Sequence, residues 1–115
     1  MKLTNILLLF ILCCFSCKST KHQEEKFEKT KWATKIDEDY PYRDKMLKDV
    51  MANQIPHGLK RSEVINLLGQ PSRTDTFYLF YKIVQQRLGA FIFHTKTLVI
   101  KLNKDSTVEW RKIHE

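Results

Sequence analysis

Cysteine, histidine, serine and clustered carboxylates are the residue types in this chain able to carry chemistry. The three cysteines, Cys13, Cys14 and Cys17, all lie near the N-terminus. His22, His57, His94 and His114 are scattered, and none stands in the H-x-x-x-H or H-E-x-x-H spacing that presents two imidazoles from one helix face. Ser62 lacks the flanking glycines of a nucleophile elbow. Gly58, Gly69 and Gly89 are too far apart to form a phosphate-cradling loop. Asp37-Glu38-Asp39 is an acidic triplet, which reads as the start of a helix, where the macrodipole favours carboxylates, ahead of a cation site. The expectation is therefore a chain without catalytic residues, metal site or cofactor, whose function lies in its surfaces.

The cysteines direct attention to the N-terminal segment. Lys2 is followed by an unbroken apolar run from Ile6 to Phe15, then Ser16 and Cys17. Ten helical residues reach about 15 Å, against roughly 30 Å of bilayer hydrocarbon, so the run suits the apolar region of a signal peptide better than a spanning helix. The stretch resembles a bacterial lipoprotein signal, in which a small residue precedes a cysteine that receives a diacylglyceryl thioether and, after cleavage, an acyl group. Ser16 and Cys17 match that pattern, and Cys14 is the poorer alternative. The resemblance implies a signal peptide over residues 1–16 and lipid on Cys17. Cleavage there leaves Cys17 as the only thiol of the mature chain and excludes an intrachain disulfide or thiolate metal site. Two or more acyl chains give stable anchoring where one gives only marginal binding.

Twenty Lys and Arg face thirteen Asp and Glu, a balance of +7. Nine basic residues nearly cancel eight acidic ones over Lys18–Ala52, whereas ten face five over Asn53–Glu115, so the basic character belongs to the later half. Export makes nucleic acid the least suitable partner for this charge, leaving two readings open: a solvated surface, or contact with anionic lipid headgroups or an acidic protein.

Two helices and three strands follow from the patterning. Lys18–Lys35 carries only Phe27 and Trp32 as large apolar residues and no helical stripe, so residues 17–36 read as a flexible tether and residues 37–115 as the folded domain. Asp37–Met51 reads as a first helix, with Pro41 in its first turn and Met46, Leu47, Val50 and Met51 on one face. Pro56 and Gly58 break it. Glu63–Leu68 forms a second helix, ended by Gly69 and Pro71. Phe77–Val84, Thr95–Leu102 and Thr107–Ile113 read as strands, with Gln85–His94 a loop in which Phe91 and Phe93 are able to extend a strand. A three-residue turn at Lys104–Ser106 sets Leu102 opposite Val108 and Ile100 opposite Trp110 and requires a left-handed Ser106. The class is thus α+β: a two-helix hairpin on a three-stranded antiparallel sheet, in the order ααβββ. With Leu98, Ile100, Val108 and Trp110 turned inward, Val99, Lys101, Glu109 and Arg111 occupy the opposite face. That face reads either as an ordinary solvated surface or as a protein-docking surface, with Val99, Lys101 and Arg111 as its contact residues.

The run Gly58-Leu59-Lys60-Arg61-Ser62-Glu63-Val64-Ile65-Asn66-Leu67-Leu68-Gly69-Gln70-Pro71 resembles the signature of the SmpA/OmlA family of BamE-like outer-membrane lipoproteins. Its matched residues have structural roles: Gly58 permits a turn, Glu63 stands in the first helical turn, Leu67 and Leu68 enter the core, and Gly69 with Pro71 stops the helix. Lys60 departs from the pattern, standing where a Ser or Thr would cap the helix. The resemblance implies a non-catalytic lipoprotein at the bacterial outer membrane, facing the periplasm. It would assist assembly of β-barrel proteins through contacts with other assembly subunits and with anionic lipid headgroups. An independent protein-binding or inhibitor module on the same anchor is the alternative.

Overall fold

The computed structural model describes residues 24–115, so the expected signal peptide and Cys17 lie outside the described residues. The chain is α+β, but has three helices and a four-stranded sheet among the described residues. The helices are α1 (Lys29–Ala33), α2 (Arg43–Asp49) and α3 (Arg61–Leu68), and the strands are β1 (Arg73–Asp75), β2 (Tyr78–Leu88), β3 (Phe91–Leu102) and β4 (Val108–His114). The strands run in a simple antiparallel meander in the order β1-β2-β3-β4.

The expected tether is corrected from Glu24 onward. Trp32 is fully buried, and its indole Nε1 donates to the Leu68 carbonyl at 3.0 Å. Phe27 meets the Trp32 ring edge-on, with centroids 6.0 Å apart. The amide of Phe27 donates to Asp49 Oδ2 at 2.7 Å, a bond that holds the Asp49 carboxyl below its ordinary pKa. A single large aromatic with a partner for its N–H seats this segment, so no repeating stripe is needed. The folded unit therefore begins well before residue 37.

The acidic triplet is likewise not a helix start. Ile36 and Asp39 exchange backbone hydrogen bonds of 2.9 and 3.0 Å across a tight turn, with Asp37 left-handed at φ 55°. The expected first helix is consequently shortened at its front. It begins at Arg43 and runs on through Val50–Gln54 as a π-helical turn, burying Met46, Leu47 and Val50.

α3 follows the expectation closely. Lys60 is its N-cap residue and makes no side-chain cap, but the Arg61 amide, one of the donors left open at a helix start, is bound by the Ser106 carbonyl at 2.9 Å. Gly69 closes the helix at φ 79°, a region glycine enters without a Cβ penalty.

One face of the sheet meets the helices. Leu79, Tyr81, Ile83, Leu98, Ile100, Leu102 and Val108 pack with Trp32, Met46, Leu47, Val50, Ile55, Val64 and Leu68 in a single buried cluster. Within it Arg43 is also buried: its Nε donates to the Trp32 carbonyl at 2.9 Å and its Nη1 to the Lys82 carbonyl at 2.8 Å. The guanidinium also lies 3.4 Å from the Tyr40 ring centroid. Burial pushes its pKa down to about 10, against the opposing pull of Tyr40 and Tyr81. Two carbonyls and an aromatic ring thus replace the water that Arg43 gives up.

Three features of the sheet depart from expectation. β1 is an added, wholly exposed edge strand. The segment Gln85–His94 is not a loop but the outer part of a long β2–β3 hairpin that turns at Gly89-Ala90. Leu102 does face Val108, and Ser106 is left-handed at φ 64°, but a bulge then shifts the register so that Lys101 pairs with Trp110 and Ile100 with Arg111.

A candidate docking face on the open side of the sheet

The bulge in β4 decides which residues reach the open face. Before it, Val108 points into the core. After it, the inward positions are Arg111 and Ile113, and the outward ones are Trp110 and Lys112. An extra residue reverses the side on which later side chains fall. Trp110, expected in the core, therefore stands on the open face and is 37% exposed. Arg111, expected on the open face, turns under the sheet, where its Nε and Nη2 donate to the Met51 carbonyl at 2.9 and 2.7 Å. It ties β4 to the π-helical turn and is removed from the set of docking residues.

Val99 and Lys101 do lie on the open face, beside residues that periodicity did not single out. Tyr78 stacks on Phe80 with centroids 6.2 Å apart and meets Trp110 edge-on at 6.1 Å. The Arg73 guanidinium lies 4.2 Å from the Phe80 centroid. Lys101 Nζ contacts Glu109 Oε2 at 2.9 Å, a hydrogen bond that raises the lysine pKa. Together the aromatic side chains of β2 and β4 form a row that spans the β3 position Lys101, which pairs with both Tyr78 and Trp110, while Arg73 flanks the Phe80 end. Beside the row lies a shallow cavity of about 290 Å³ lined by Arg73, Phe80, Lys82, Thr97, Val99 and His114.

Such a surface can bind but offers little for bond making. Aromatic rings supply apolar area with few rotatable bonds, and Arg and Lys supply charge-assisted hydrogen bonds, the combination enriched at protein interfaces. The other sequence-singled residues are dispersed. Gly58, Glu63, Leu67, Leu68, Gly69 and Pro71 belong to α3 and its flanks, while His57, His94 and His114 fall in the interhelix turn, the hairpin and the end of β4.

One sequence signal could have located Trp110. Val108 and Ile113 are five residues apart and so cannot share one face of a regular strand. If both are to be buried, a bulge between them is required, and placed at Glu109, as it is here, it sends Trp110 outward. In comparisons with known proteins, no family model, curated protein or solved structure matches this chain.

Proposed function

We propose that this chain is a non-catalytic, lipid-anchored lipoprotein of the bacterial outer membrane, facing the periplasm and serving as an accessory or scaffold in β-barrel protein assembly. The observation that carries the docking role is the row of half-buried Tyr78 and Phe80 and exposed Trp110 on the open face, with Arg73 and Lys101 beside it. Large aromatics held against one another on a sheet face have already lost much of their freedom, so a partner gains their contact area at little further entropic cost. The lipoprotein-like Ser16-Cys17 and the resemblance of Gly58–Pro71 to the SmpA/OmlA signature support the membrane setting and the assembly role.

A photocrosslinking residue at Lys101, introduced into the full chain in intact cells, tests the docking role. Barrel-assembly subunits should appear among the adducts, and Trp110→Ala in the same chain should abolish them. Adducts with an exported enzyme, accompanied by stoichiometric inhibition of that enzyme, would replace the assembly role with an inhibitor role. Cys17→Ala should release the chain from the detergent phase; a wild-type chain that partitions into the aqueous phase would remove the anchor.

A further inference from the structure

The outer part of the β2–β3 hairpin has no role in the docking face. β1 pairs with β2 only as far as Phe80, and β4 pairs with β3 only from Thr97 onward. Beyond that point the pairs Val84–Lys96, Gln85–Thr95, Gln86–His94, Arg87–Ile92 and Leu88–Phe91 form a two-stranded ribbon with no further strand on either side among the described residues. Five pairs at ~3.3 Å per residue give a reach of roughly 15 Å.

The end of this ribbon is apolar and open to solvent: Leu88 is 76% exposed, Phe91 67%, Ile92 48% and Phe93 57%. Four large apolar side chains within six residues are far more than a solvated turn needs. They do not make one flat patch. Leu88 faces Phe91 across the turn, Phe91 and Ile92 point to opposite sides, and Phe93 is the extra residue at a register shift. The apolar surface therefore surrounds the tip.

Charge supplies the second observation. No Asp or Glu occurs in the ribbon itself, residues 84–96, whose cations are Arg87 and, at its base, Lys96, the latter paired with Asp44 at 2.8 Å and Glu115 at 3.6 Å. Arg87 stands directly behind the apolar tip. An apolar end backed by Arg87, on a ribbon that carries no carboxylate of its own, fits an interface whose hydrocarbon lies beneath a negatively charged surface.

We propose that Leu88, Phe91, Ile92 and Phe93 form a wedge that inserts into the interfacial region of an anionic lipid bilayer, with Arg87 against the headgroups. The insertion is independent of the docking role of the open face and gives the domain a second membrane contact, apart from its N-terminus. Since interfacial elements bury their apolar faces by ~5–10 Å, a 15 Å ribbon is long enough to insert its end while the sheet stays outside.

The test uses the full chain carrying Phe91→Trp, bound to phosphatidylethanolamine–phosphatidylglycerol vesicles with brominated acyl chains. The emission contributed by the introduced indole should be quenched by about half or more, as expected for a side chain at acyl depth, while emission from Trp32 and Trp110 is unchanged. Leu88→Ser with Phe93→Ser in that background should reduce quenching about tenfold without changing the thermal midpoint, because the altered residues are exposed. A vesicle-bound Phe91→Trp chain whose introduced indole is unquenched overturns the proposal, and the N-terminus keeps this result distinct from failure to bind. Equal quenching on neutral phosphatidylcholine overturns the requirement for an anionic surface. A benzophenone at position 91 that yields discrete protein adducts and no lipid adducts in cells overturns the bilayer in favour of a protein partner. Hairpin variants that retain the Lys101 adducts would separate this inference from the docking role.

Discussion

Trp32 and Trp110 are the only tryptophans in the chain, and the sheet lies between them. Trp32 is sealed among the helices, with its N–H bonded to a helix-end carbonyl, and joins an otherwise polar segment to the core. Trp110 rests on Tyr78 at the sheet surface and keeps 37% of its area open to solvent. The same side chain thus acts once as a structural plug and once as an exposed contact. The difference arises from the surroundings each meets, which composition alone does not reveal.

The largest effect expected from breaking this contrast is that of Trp32→Ala, which should lower unfolding free energy by about 4 kcal/mol in urea titration, as for other deeply buried aromatics. A flexible tether would show no such loss. On the same side, the buried Tyr81 hydroxyl donates to the Gly69 carbonyl at 2.8 Å, and burial pushes its pKa up to about 12, against the opposing pull of Arg43 and Arg61. Since this folded value exceeds the unfolded value of 10, its stabilisation is complete below pH 10 and is lost as pH rises through 12. Alkaline denaturation should therefore include a component of roughly 2 kcal/mol over that window that is missing in Tyr81→Phe. Arg111→Ala should cost about 1–2 kcal/mol by leaving the Met51 carbonyl without its guanidinium partner. The smallest change in stability belongs to the open face: Trp110→Ala should cost about 1 kcal/mol, yet remove partner adducts. A Trp110→Ala variant as unstable as Trp32→Ala would erase the distinction between the two tryptophans.

The parts of the fold legible in sequence are those fixed by local rules. Leu67 and Leu68 followed by Gly69 and Pro71 specify where α3 packs and ends, and the alternation of Leu98, Ile100 and Leu102 specifies the inward face of β3. The left-handed Ser106 follows from loop length and strand pairing. The misread parts depend on nonlocal partners. Trp32 is buried because α3 presents the Leu68 carbonyl to it. Asp37–Asp39 forms a turn, since Asp37 enters a left-handed conformation that aspartate tolerates. The Gln85–His94 ribbon is hidden by its exposed apolar residues, which lack the alternation of a half-buried strand. For the docking face, Val99 and Lys101 were legible, while Trp110 and Arg111 were exchanged by one unpaired residue.

The clasp of Arg111 on Met51 also has a mechanical consequence. The described chain enters along α2, where the Glu25 amide donates to the Lys45 carbonyl at 2.9 Å and Lys48 pairs with Glu24 at 3.3 Å. A pull from the N-terminal side is therefore taken first by α2. Arg111 passes the load from the end of that helix to β4, and the ladder between β3 and β4 spreads it across the sheet. Tension on the described N-terminal end is thus shared by strands far from it in sequence, with Arg111 acting beside Arg43 on the Lys82 carbonyl and the Asp44–Lys96 pair to couple α2 to the sheet.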